Sequence, residues 1–128
     1  MLAWWAFNND KQQLLPLEKD LEIEHIFSRN RQEKENSLVD KSNLEKLGNK
    51  ALLEKKVNIR ASDYRFSDKI KYYQGFVTSK GQQKEGTQNI ELIEMSSCSD
   101  FVENDIVQRN DKIISQFIEY LRLNMLIN

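Results

Sequence analysis

The chain has one cysteine, one histidine, one proline and four glycines among its 128 residues. Each scarcity removes a class of protein. A lone Cys98 cannot form an internal disulfide and suits a reducing compartment, so a cytoplasmic location is expected. One Cys and one His cannot build a structural zinc site of the usual Cys/His kind. The glycines form neither a P-loop nor a dinucleotide-binding pattern. No apolar run approaches the roughly 20 residues that span a bilayer, so no membrane partner is expected. The opening Met1–Phe7 is apolar but lacks a basic flank and a cleavage site, which argues against a signal peptide.

What the chain does have is charge, on 30% of residues, and it is unevenly placed. Residues 1–25 carry a net −3 and residues 87–128 a net −4. Between them, residues 26–86 hold fourteen Lys/Arg against eight Asp/Glu, a net +6. A basic centre on an acidic body is the layout of a phosphate-binding face, the plainer alternative being a solvated surface with chance clustering. The length suits one domain, residues 1–128, with a modest core and no internal repeat.

In chain order, Leu2, Trp4, Trp5, Phe7, Leu14 and Leu15 predict a flanking helix over 1–16, closed by Pro16. Two adjacent tryptophans need a partner surface. Either the C-terminal helix supplies it, or the chain is a C-terminal fragment and an upstream domain does. The alternation Leu21–Ile26 predicts a strand. Residues 27–42 show no period and read as an exposed loop. Ser42 or Asn43 then caps a short helix through Leu44 and Leu47, stopped by Gly48. Lys50–Leu53 reads as a second strand, antiparallel to the first, and Asn58–Tyr73 has helical spacing. Residues 79–89 read as a polar loop and Ile90–Met95 as a short helix, with a strand as the alternative. Asp100 or Asp105 caps a final helix, within flanking residues 98–127, whose stripe Ile106, Ile113, Phe117, Ile118 and Leu121 packs on the core.

The stretch Leu21–Lys71 thus runs strand, loop, strand, helix, with Glu24-His25 at one end and Asn58 at the start of the helix. The fragments EHI, LGNKALL, VNIRASDYRFSDK and DIVQRNDKI together resemble the HNH endonuclease domain at the C-terminus of GmrSD-type modification-dependent restriction proteins. The core also resembles the HNH domain of CRISPR effector nucleases. Asn49 and Asn58 stand nine positions apart, the spacing such domains show between their central Asn and their metal-binding Asn. A lone Glu-His is weak, but Glu-His, Gly-Asn and Asn in this order are fairly specific, and the resemblance covers roughly residues 20 to 125. One departure is Ser28, where related sequences often carry Pro.

The resemblance implies an α+β fold with a ββα-metal (HNH/His-Me finger) core over about residues 20–75 and flanking helices. It implies a metal-dependent endonuclease that hydrolyses DNA phosphodiester bonds in restriction or defence against foreign or modified DNA. One divalent cofactor is expected, Mg²⁺ first and Mn²⁺ second, held by Glu24 and Asn58. His25 is the expected general base, since a neutral imidazole takes a proton from water near neutral pH. Asn49 is assigned to the catalytic loop as its organiser, and its backbone carbonyl or a neighbour's is expected to hold the second imidazole nitrogen. Arg29, Arg31, Lys50, Arg60 and Lys69 are candidate phosphate contacts. DNA is the expected partner, with an upstream nucleotide-dependent domain and a second copy of the chain as further candidates. The rival is a catalytically inactive ββα module that binds nucleic acid or regulates a larger assembly. Strand alternation sets Glu24 and His25 on opposite faces, so a shared site requires twist or a bulge.

Overall fold

The computed structural model describes residues 1–12 and 20–124. In chain order the elements are α1 (Leu2–Phe7), β1 (Leu21–His25), α2 (Arg29–Glu35), β2 (Lys50–Glu54), α3 (Lys55–Ala61), α4 (Phe66–Gln74), β3 (Gly75–Val77), β4 (Gln83–Glu85), α5 (Ile90–Met95) and α6 (Glu103–Leu123). The strands form two antiparallel pairs, β1–β2 and β3–β4, so the fold is α+β as expected. Leu14, Leu15, Pro16 and residues 125–127, assigned above to the flanking helices, lie outside the described residues.

β1 and β2 pair without interruption from Leu21↔Glu54 to His25↔Lys50, and β2 runs directly into α3. Ile26 leaves the strand at its end, donating its N–H to the Asn49 carbonyl at 2.9 Å and burying its side chain completely. With Phe27, Leu53, Phe66, Tyr73, Leu92 and Ile106 it forms the centre of the core. Removing such side chains from water is the main stabilising contribution, on the order of 1.5–3 kcal/mol for each large apolar group.

Residues 27–42 are not an exposed loop. Ser28 Oγ accepts the Arg31 N–H at 3.0 Å and starts α2. The inward face of α2 is polar, Arg31 and Gln32, so no apolar period marks it in the sequence. Thus Ser28, the departure noted in the sequence, is itself a helix cap. The next turn is a short 3₁₀ segment over Lys41–Glu45, capped by the Asp40 carboxylate rather than by Ser42 or Asn43.

Gly48 lies in a second 3₁₀ turn, Leu47–Asn49, where α6 comes closest. A Cβ here would overlap the Ile106 carbonyl oxygen and lie 2.7 Å from Asn110 Cβ. Asn110 Oδ1 accepts the Gly48 N–H at 3.0 Å, which fixes the approach. Gly48→Ala is therefore expected to cost about 1–3 kcal/mol, the usual range for overpacking, and urea unfolding measures it.

The helix expected over Asn58–Tyr73 divides at Ser62, where φ is +48°. Of the apolar positions with that spacing (Ile59, Tyr64 or Phe66, Ile70 and Tyr73), Ile59 and Tyr64 are exposed while Phe66 and Tyr73 are buried. Asn58 consequently sits inside α3 rather than at a helix start. The polar stretch 79–89 includes β4, paired with β3 around Gly81 at φ +79°. No apolar alternation marks β4, because Gln83 and Glu85 are exposed. α5 is helical, as the first of its two sequence readings held. At the start of α6, Asp105 accepts the Val102 N–H at 2.8 Å, while Asp100 is taken by Arg31. Trp4 packs edge-on against Phe117 and lies 5.4 Å from the Tyr120 ring, so the C-terminal helix does supply a partner surface. Among the described residues, no helix is long and apolar enough to cross a membrane.

Candidate active site

A cleft of about 190 Å³ opens at the C-terminal end of β1, lined by Ile23, Glu24, His25, Arg29, Asn58, Ser62 and Asp63. β1 supplies the first three, the start of α2 supplies Arg29, and α3 with its exit turn supplies the rest. A larger groove of about 650 Å³ is bordered by Glu54, Lys55, Lys56, Arg60 and Lys84, and none of the Glu-His-Asn set lines it. The Glu-His-Asn set therefore borders the smaller cleft.

Glu24 and His25 border this cleft without a bulge, since the β1–β2 register is unbroken. Their polar ends part instead. Glu24 is buried beneath α4, where Oε1 accepts from Lys69 Nζ at 3.1 Å and Oε2 from the Tyr73 hydroxyl at 2.8 Å. Burial raises the Glu24 carboxyl above its ordinary range, and the Lys69 charge opposes it. The same burial lowers the Lys69 ammonium and raises the Tyr73 phenol well above its usual value. His25 is half-buried and its Nε2 lies 3.0 Å from Glu45 Oε2. The expected carbonyl of Asn49 or a neighbour is not the imidazole's partner among the described residues; the Asn49 carbonyl accepts the Ile26 N–H and the ring meets Glu45.

Asn49 is fully buried and acts through its side chain. Its Oδ1 accepts the Phe27 N–H at 2.7 Å, and its amide donates to the Phe27 and Leu44 carbonyls, each at 2.9 Å. These three bonds pin the chain leaving β1 to the chain entering β2, and so fix the strand end that carries His25. Arg109 of α6 reinforces the same corner, donating to the carbonyls of Leu47, Gly48 and Lys50 while pairing with Glu91. Asn58 donates its amide N–H to Glu22 Oε2 at 3.3 Å, which commits the nitrogen end and leaves the oxygen as an acceptor.

The candidate phosphate contacts separate. Arg29 borders the cleft and pairs with Glu45; the less exposed Lys50 also pairs with Glu45 but does not line the cleft. Arg60 borders the larger groove. Arg31 is buried over the Phe27 ring and bound to Asp100, Glu35 and the Phe101 carbonyl, so it is a packing residue and not a surface cation. Lys69 is fully buried on Glu24 and the His25 carbonyl, with no surface left for a phosphate.

Three residues of the site had no signal in the sequence. Glu45 lies twenty residues from His25, in the short helical turn expected before Gly48, where nothing in the sequence links it to the imidazole. Tyr73 counts as an apolar position on a helix, which hides its hydroxyl. Asp63 lies one residue past the helix break and borders the cleft.

Among the described residues, no group of three or more His, Cys, Asp or Glu could hold a metal ion. A magnesium-like cation asks for less, since it keeps several waters and takes one or two protein oxygens. The cleft offers such hard donors in Glu24, Asn58 and Asp63. Glu24 already serves Lys69 and Tyr73, but each carboxylate oxygen has a second lone pair. The donor chemistry thus fits a hydrated hard cation and not a zinc-type site.

A family model described as GmrSD restriction endonucleases, C-terminal domain, matches residues 3–116. No curated protein and no solved structure matches the chain.

Proposed function

Since the chain belongs to the family of GmrSD restriction endonuclease C-terminal domains, we propose that it is a metal-dependent HNH nuclease with a ββα-metal core. It hydrolyses DNA phosphodiester bonds in the cytoplasmic restriction of foreign or modified DNA. The observation that carries this proposal is the convergence of Glu24, His25, Arg29, Asn58 and Asp63 on one cleft, at the end of a strand pair that runs into a helix.

Each side chain has a part. His25 accepts the proton of the attacking water, and its place at the strand end sets it at the cleft. Arg29 is the cleft's exposed cation and steadies the substrate phosphate. Glu24 and Asn58 hold the cation, with Asp63 beside them; Mg²⁺ is the expected ion and Mn²⁺ its substitute. A divalent cation held by these residues would supply charge neutralisation at the scissile phosphate and at the leaving oxygen. Asn49 keeps the strand end in place through its three buried hydrogen bonds. One such site per chain cuts one strand, so a double-strand break takes two copies or two visits. An upstream nucleotide-dependent domain would supply recognition, because among the described residues of the cleft Arg29 offers a phosphate contact and not a base-reading element.

One observation favours the rival. The ion pair between Glu24 and Lys69 already satisfies the carboxylate assigned to the metal, as an inactive nucleic-acid-binding or regulatory module would allow. Nicking of supercoiled plasmid in Mg²⁺, in Mn²⁺ and in EDTA separates the two. Nicked circles that form only with metal are the expected result. DNA binding that needs no metal and yields no nicks under any condition would establish the rival instead.

A further inference from the structure

Glu45 has no part in the chemistry assigned so far, yet it is the only side chain bonded to the imidazole among the described residues. Its two oxygens have separate duties. Oε1 accepts from Arg29 Nε at 3.0 Å and also lies 3.0 Å from Arg29 Nη2. Oε2 faces His25 Nε2 at 3.0 Å, with Lys50 Nζ at 3.4 Å. Lys50 stands directly across the strand pair from His25, so the β1–β2 register itself brings this cation to the carboxylate.

We propose that Glu45 is a positioning residue for His25, accepting the Nε2–H of the neutral imidazole so that Nδ1 keeps the lone pair. The inference rests on the nuclease assignment above, in which His25 is the base. A general base must present a bare nitrogen in a fixed direction, and a carboxylate on the opposite nitrogen selects both tautomer and ring orientation. Arg29 and Lys50 hold the carboxylate in place and ionised. The hydrogen bond to His25 and then that to Arg29 lower its pKa to about 2. From the core side, the cation–carboxylate pair of Lys69 and Glu24 fixes the His25 backbone, since Lys69 Nζ donates to the His25 carbonyl at 2.7 Å. Asp63 also borders the cleft. The Glu45 side chain is 48% exposed, so its pairs add little to stability and the fold does not depend on them.

His25 is the chain's only histidine, so its ring gives a single set of nitrogen resonances. Long-range proton–nitrogen NMR on metal-free protein, at a pH where the ring is neutral, reads the tautomer directly. The expected result is a pure Nε2–H tautomer in the wild type and a mixture in Glu45→Ala. In the plasmid assay, Glu45→Ala is expected to lower kcat by about 10–100-fold, taking the range for the outer partner of a metal-bound histidine as the guide, without raising KM. A Glu45 that merely repelled phosphate would instead lower KM on removal and leave kcat alone. The same tautomer in both proteins, or an unchanged kcat, overturns the proposal. The spectrum needs no activity, so a wild type that fails to cut DNA refutes the nuclease assignment separately while the tautomer still decides Glu45.

Discussion

Lys69→Met is expected to remove about 3–5 kcal/mol of folding stability, the range found when one partner of a buried ion pair is deleted. The ammonium lies in the core, donating to Glu24 Oε1 and to the His25 carbonyl, and its side chain is 1% exposed. Methionine fills much of the volume but leaves Glu24 as a buried carboxylate whose one remaining donor among the described residues is the Tyr73 hydroxyl. The loss should depend on pH in a defined sense. Burial already holds the Glu24 carboxyl above its ordinary value of 4.5, and removing Lys69 removes the main opposing charge. A raised folded-state pKa means that the folded protein keeps its proton where the unfolded chain has released it. Stability of the variant therefore falls as pH rises upward from that ordinary value, and the deficit is smallest in acid. Adding Glu24→Gln should recover most of the loss, since the amide oxygen still accepts from Tyr73 and no charge is stranded. Urea unfolding of both variants between acid and neutral pH checks this; a double variant less stable than the single one contradicts it.

The parts of the fold that the sequence announced are those where one physical signal dominates. β1 and α6 form where periodicity puts them, although Leu21 and Ile23 of β1 and Ile118 of the α6 stripe are exposed and Glu24 turns inward. α2 and β4 were missed because tertiary contacts, not apolar period, hold them. α2 turns a buried arginine inward against Asp100, and β4 is a polar edge strand paired only with β3. The break at Ser62 was hidden by Ile59 and Tyr64, which follow helical spacing yet face solvent.

The candidate site divides along the same line. His25 and Asn58 could be picked from the motif, and both border one cleft. The partners that set their behaviour come from elsewhere in the chain. Glu45 reaches His25 from a 3₁₀ turn, and Lys69 reaches Glu24 from α4. In a sequence these are ordinary charged residues in a charged chain, and only the packing of α4 under β1 distinguishes Lys69 from the exposed lysines around it.

The largest effect on activity should come from His25→Ala, with a fall in cleavage rate of about 10²–10⁴-fold, the usual contribution of a general base. The fold should tolerate the change. Among the described residues the imidazole's one hydrogen bond goes to a half-exposed carboxylate, which keeps Arg29 and Lys50 when the ring is gone. A loss of rate without a matching loss of stability therefore isolates the chemistry. The decisive measurement is the initial rate of supercoiled-plasmid nicking in Mg²⁺ by wild type and His25→Ala, purified identically and shown by urea unfolding to be equally folded. Metal-dependent nicking by the wild type that falls at least a hundredfold in the variant, the lower end of that range, is the predicted result. Equal rates in the two proteins would contradict the central claim that His25 is the base of a nuclease site.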